Sequence, residues 1–174
     1  TFPAQFLMVA AMNPCPCGNY SNPYKSCICT PFQVQRYWSK LSGPLLDRID
    51  LHIEVPCLNK DELSLQAEGE SSKLIRHRVA AARKLQQQRY QGTDVFCNAR
   101  MHPRQIKHFC RLEAEAEALL KSAILHLRLS ARAYDRIIKV SRTIADLEGA
   151  ENIQGKHIAE ATQYRSLDKK GGEL

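Results

Sequence analysis

Apolar residues follow two different rhythms along this chain, and the change falls near residue 70. Before it, Phe6 to Met12 is a continuous apolar run that stops at Asn13-Pro14. That pattern predicts a short strand buried inside a parallel sheet. Ile49 to Val55 alternates apolar and polar residues and ends at Pro56, which predicts a second strand with one buried and one wetted face. Between them, Asn13 to Thr30 holds Pro14, Pro16, Gly18 and Pro23, the composition of a loop. Thr30 and Pro31 supply a cap and a first helical residue for a helix over Phe32 to Leu41, which Ser42-Gly43-Pro44 ends. Asn59 to Ser72 is polar and reads as a linker.

After the linker the spacing becomes helical. Leu74, Ile75, Val79, Ala82 and Leu85 mark a helix from Ser71 to about Gln91. Further helices are expected over Pro103 to Arg111, Glu113 to Leu127 and Gln154 to Arg165. Ser130 is placed to cap another, which Gly149 ends. The fold class is therefore an α/β fragment, mostly α. Residues 1–58 carry two strands and one helix, 59–70 a linker, 71–167 a helical bundle and 168–174 a flexible polar tail. Two strands make no stable sheet by themselves. The first part is thus expected to be the back end of an α/β domain whose front end lies outside this chain.

Charge and cysteine usage narrow the class. Over 174 residues, 25 Lys and Arg face 18 Asp and Glu, a net charge of +7, and 44% of residues are hydrophobic. That excludes wholesale disorder. The apolar run at Phe6 is far short of the roughly 20 residues that span a bilayer, so no membrane partner is expected. Seven cysteines, an odd number, argue for a reducing, cytoplasmic setting rather than a disulfide framework. The basic balance suits an anionic partner such as nucleic acid. Arg76, His77, Arg78, Arg83, Lys84 and Arg89 form one basic group, and Arg100, His102, Arg104, Lys107, His108 and Arg111 a second. Either can track a phosphate backbone, and either can equally be a solvated helix face.

Cys15, Cys17, Cys27 and Cys29 form two C-x-C pairs separated by a loop. Four thiolates gathered there would bind Zn²⁺ tetrahedrally and staple a loop that has no core of its own; the alternative is reduced cysteines that bind nothing. Cys57, Cys97 and Cys110 are isolated and read as structural. The six His residues are scattered, and no Ser/His/Asp or Cys/His catalytic arrangement is apparent.

Three motifs resemble those of one family. Val9-Ala10-Ala11-Met12-Asn13-Pro14-Cys15-Pro16-Cys17-Gly18 is similar to the sensor 1 strand of the magnesium-chelatase-like AAA+ ATPases. Ser42-Gly43-Pro44-Leu45-Leu46-Asp47-Arg48-Ile49-Asp50 resembles their arginine-finger segment. Leu129-Ser130-Ala131-Arg132-Ala133-Tyr134-Asp135-Arg136-Ile137 resembles their sensor 2 helix, which Arg142 to Leu147 continues. The motifs occur in family order and cover nearly the whole chain, and they resemble those of the branch containing bacterial competence proteins. The resemblance makes residues 1–58 the C-terminal part of the ATPase core and 71–167 the helical lid. One departure matters: no G-x-x-x-x-G-K-[ST] loop occurs in the chain. The chain is thus expected to be the C-terminal portion of a longer ATPase, neither holding ATP tightly nor hydrolysing it alone.

The resemblance implies roles for three residues. Asn13, at the carboxyl end of its expected strand, becomes the sensor 1 residue that orients water or meets the γ-phosphate; otherwise it simply begins a turn before Pro14. Arg48 becomes the arginine finger, acting in trans on a neighbouring subunit's nucleotide; otherwise it pairs locally with Asp47 or Asp50. Arg132 becomes the sensor 2 arginine at the ATP phosphates; otherwise it belongs with Arg136 and Lys139 to a solvated basic face. Tyr134, Ile137, Ile138, Ser141 and Ala145 lie on the opposite, core-facing side. The intact protein is then expected to bind ATP and Mg²⁺, to form a ring homo-oligomer (a hexamer), and to act on DNA as a helicase or branch-migration motor. The alternatives are the motor of a magnesium-chelatase complex, or a non-enzymatic zinc-stabilised module that binds nucleic acid or protein.

Overall fold

A computed structural model describes residues 6–57, 69–127, 129–165 and 167. Most of the expected linker and all of the expected tail lie outside them. The chain divides into two compact units, Thr1–Ser42 and Gly43–Leu174.

In the first unit, the loop after Asn13 leads into α1, Pro31–Trp38. Its start is doubly fixed. The Thr30 hydroxyl accepts from the Gln33 amide at 3.3 Å, and the Gln33 side chain accepts from the Thr30 amide at 2.8 Å. Trp38 Nε1 donates to the Pro14 carbonyl at 3.0 Å, tying the end of α1 to the beginning of the loop.

The second unit begins with a single turn, α2 (Gly43–Leu46), and continues as the helices α3 (Ser72–Arg89), α4 (Pro103–Phe109), α5 (Ala114–Leu127), α6 (Ala131–Glu148) and α7 (Gly155–Gln163). A 3₁₀ turn at Asn98–Arg100 lies between α3 and α4. The helix α6 is central, packed by α3, α4, α7 and the 3₁₀ turn. Its start is capped as expected: Ser130 Oγ accepts from the Ala133 amide at 3.1 Å. Gly149 ends it at φ 73°, a left-handed conformation in which any side chain is strained. The core gathers Ile137, Ile138, Ile144 and Ala145 of α6 with Leu120, Ile153, Ile158 and Met101. Ser141 is buried with them, whereas Tyr134 is exposed.

The two expected strands are a correction. Among the described residues there is no strand, and the only β-type pairing is a single parallel bridge between Leu112 and Ile153. A strand exists only where a neighbour shares its hydrogen-bond ladder. Residues 6–12 have no such neighbour among the described residues, and Leu7 and Val9 are 88% and 87% exposed. At 49–55 the backbone is engaged by the helical bundle instead. The His52 amide donates to the Tyr164 carbonyl at 2.8 Å, and the Ile49 carbonyl accepts from Arg165. His52 is therefore buried, while the apolar Leu51, Ile53 and Val55 face outward.

A buried polar network closes the bundle. Asp146 accepts from Arg89 Nη1 at 2.7 Å, Asn98 Nδ2 at 2.8 Å and Arg142 Nε at 3.0 Å, and from Arg89 Nη2. Arg142 spends its remaining donors on the carbonyls of Glu151 and Ala150, at 2.7 and 2.6 Å. Burial pulls the Arg142 guanidinium below its usual range despite Asp146. Arg89 is raised: burial opposes its charge, but its hydrogen bonds to Asp146 and the carboxylate's charge outweigh that. Arg89 therefore belongs to this network and not to a phosphate-tracking face.

Candidate functional site and candidate metal centre

The four clustered cysteines meet in the first unit. Gly18 takes a positive φ of 79°, and its amide donates to the Cys15 carbonyl at 3.0 Å. That turn brings Cys17 back beside Cys15. The Sγ atoms of Cys15 and Cys17 are 3.4 Å apart, those of Cys15 and Cys27 3.7 Å, and those of Cys17 and Cys27 3.5 Å. With Cys29, all four lie within 4.8 Å of one another. A tetrahedral zinc with Zn–S bonds of about 2.3 Å places its sulfurs about 3.8 Å apart, close to these spacings. Every cysteine is free, and none of these separations is a disulfide bond, which measures about 2.05 Å.

The electrostatics agree with a site built for a cation. Backbone amides of Asn19 and Ile28 pull the Cys17 thiol down to about 6. Burial pushes Cys29 up to about 12, and the neighbouring thiols add to it. For Cys27 the Cys29 amide pulls downward, but burial and the Cys17 and Cys15 thiols win, and it too is raised. Four thiolates this close repel one another; a divalent cation relieves that repulsion and deprotonates all of them. The donor set and spacing therefore fit Zn²⁺ with a closed, all-cysteine shell.

Asn13 lies two residues before Cys15, exposed, and its side chain makes no hydrogen bond among the described residues. Its amide rests over Gly18, where a Cβ would come within 3.9 Å of Asn13 Cγ.

In the second unit Arg48 is exposed, and its Nη1 donates to the Pro44 carbonyl at 2.7 Å. The local ion pairs weighed from the sequence go elsewhere: Asp50 pairs with Arg136, and Asp47 lies 3.8 Å from Arg165. Arg132, in the first turn of α6, is exposed and makes no hydrogen bond or ion pair among the described residues. The other two cations of its face are engaged. Arg136 holds Asp50, and Lys139 Nζ donates to the Ala99 carbonyl at 3.1 Å. Burial, reinforced by Arg136, lowers the Lys139 pKa.

Of the basic groups, Arg100, His102, Arg104, Lys107, His108 and Arg111 are all exposed. In the other group Arg78 pairs with Glu70 and Arg83 donates to Gln86. Sequence reasoning missed Arg165 and the Asp146 network. Their signal was present: Arg142 and Asp146 stand four residues apart on the apolar side of α6, where an unpartnered charge is costly. No helix among the described residues is long and apolar enough to cross a membrane.

Comparison with known proteins gives two successive matches. Residues 69–165 match the profile described as "Magnesium chelatase, subunit ChlI C-terminal", and residues 1–63 that described as "Magnesium chelatase, subunit ChlI". The chain belongs to the magnesium-chelatase-like family. Within it, the chain is 43% identical over 170 residues to the uncharacterized protein YifB of Salmonella typhimurium. It is 42% identical over 167 residues to the competence protein ComM of Haemophilus influenzae. A Mycobacterium tuberculosis relative, the uncharacterized protein Rv2897c, is 37% identical over 164 residues. These alignments take in 97%, 95% and 94% of this chain but only 32% of each relative. The chain spans about a third of the length of its curated relatives.

Proposed function

We propose that this chain is the C-terminal part of an AAA+ ATPase motor that works as a ring, a hexamer, and acts on DNA during uptake and recombination. The observation that carries the reading is the state of Arg132. Among the described residues it is an exposed, uncommitted guanidinium in the first turn of α6, while Arg136 and Lys139 on the same face are engaged by protein groups. The positive end of the helix dipole disfavours a cation there, and a phosphate would bind both. Family membership supports ATP and Mg²⁺ as the ligands. In this reading Arg132 follows the nucleotide's phosphates, Asn13 orients water at the γ-phosphate, and Arg48 reaches a neighbouring subunit's nucleotide. A Zn²⁺ held by Cys15, Cys17, Cys27 and Cys29 would fix the loop behind Asn13.

DNA enters through the competence relative and through the exposed basic group from Arg100 to Arg111. The test uses the full-length protein. Duplex and branched DNA are expected to raise ATP turnover, and the stimulation should fade as salt rises, because phosphate contacts release counterions. The Arg48→Ala variant is expected to bind ATP but hydrolyse it far more slowly. Turnover indifferent to DNA would favour the chelatase-type motor, and no turnover at all the zinc-stabilised binding module.

A further inference from the structure

Arg165, just past the end of α7, is 1% exposed. Its Nη1 donates to the Ile49 carbonyl, and its Nη2 lies 3.8 Å from Asp47 Oδ1. One residue earlier, the Tyr164 carbonyl accepts from the His52 amide at 2.8 Å. From α6, Arg136 pairs with Asp50. Leu46 and His52 are buried at either end of the same stretch. A loop with no strand partner among the described residues is thus fastened through a carbonyl, an amide and two carboxylates to α6 and the end of α7. At its centre stands the exposed Arg48. Desolvating a guanidinium is costly unless its donors are matched. Here two of its nitrogens face one short loop.

We infer that Arg165 is a positioning residue for Arg48: with Arg136 it latches the loop to the helical bundle of its own chain, so that the finger moves with the bundle. The inference rests on the finger role proposed above. It has a mechanical consequence. Arg132 and Arg136 stand four residues apart on α6, so a bundle that shifts with its own nucleotide carries its finger along. The state of one subunit's phosphates would thereby set the geometry at the next subunit's.

The test is a double-mutant cycle in the full-length protein. Arg165→Lys keeps the charge, but a single ammonium cannot fork to both Ile49 and Asp47. Arg136→Gln cuts the surface strut and leaves the core intact. Each is made with Arg48 and with Arg48→Ala. With Arg48 present, Arg165→Lys is expected to lower kcat about tenfold or more, as misplacement of a reacting group does, with KM for ATP within about twofold. Arg136→Gln should lower it less. In the Arg48→Ala background both losses should vanish, because all three changes act through one group. Equal losses with and without Arg48, or no loss from either variant, would overturn the latch. If Arg165→Lys does not fold, the Arg136→Gln arm decides alone. If Arg48→Ala itself leaves turnover unchanged, the finger reading has failed and the latch falls with it. Additive losses beside a strong Arg48→Ala effect sink the latch alone.

Discussion

Individual side chains carry the chemistry here. The four thiols fit one divalent ion, and Cys15 is wholly buried among them. The purified protein is expected to carry about one zinc per chain, and Cys17→Ser and Cys27→Ser to lose most of it, since second-row changes at such sites already cost 10–100-fold in affinity and loss of a ligand costs more. Metal analysis after gel filtration checks this; wild-type protein free of metal under reducing conditions would contradict it. The Asp146 carboxylate is the other critical residue. It faces two arginines, one of them wholly buried. Asp146→Ala leaves that charge uncompensated and should cost about 3–5 kcal/mol of stability by denaturant unfolding. Asn13, Arg48 and Arg132 differ from these groups in lying at the surface, where the proposed nucleotide contacts would be open to them.

Among the elements, the helices were the most legible part of the sequence. Thr30-Pro31, Ser71, Ser130 and Gly149 mark ends that the structure places where the sequence does. Capping is local chemistry, readable from a few neighbours. The strands were not legible in the same way. Alternation from Ile49 to Val55 records a preference, but a strand also needs a ladder partner, and here the backbone of 49–52 bonds to Arg165 and Tyr164 instead. Both contacts bridge more than 100 residues, a distance over which no local pattern reports. The cysteine cluster was half legible: the C-x-C spacing suggested ligands, but the Gly18 turn that sets Cys17 beside Cys15, and the return of the loop to Cys27 and Cys29, are visible only in the fold.

The same packing predicts an alkaline limit for the bundle. Burial pushes Cys110 up to about 11 and Tyr90 up to about 12, so both are held neutral in the fold. Acids with raised folded values contribute stability that is intact below their ordinary pKa. As pH climbs past about 9 for the thiol and about 10 for the phenol, the unfolded chain ionises first and stability falls, levelling only above the raised values. Thermal melting from pH 8 to 12 should fall across this window, and Cys110→Ala should flatten its lower part. A melting temperature level to pH 11 would contradict the buried, neutral assignment.

At the scale of the whole molecule, the chain is one part of a longer family architecture. It lacks a phosphate-binding loop, spans about a third of its relatives, and exposes apolar side chains from Phe6 to Val9 and along α3 at Leu74, Ile75 and Val79. In the proposed ring, one subunit's Asn13 and the next subunit's Arg48 serve the same ATP. That arrangement is tested most directly by mixing two impaired variants of the full-length protein, Asn13→Ala and Arg48→Ala. Each should hydrolyse ATP poorly by itself. Mixed in equal amounts, they rebuild sites in which an intact Asn13 faces an intact Arg48, about a quarter of all sites in a randomly assembled closed ring. Turnover of the mixture well above that of either variant is the predicted result. Variants that co-assemble yet regain nothing at any ratio would contradict the account.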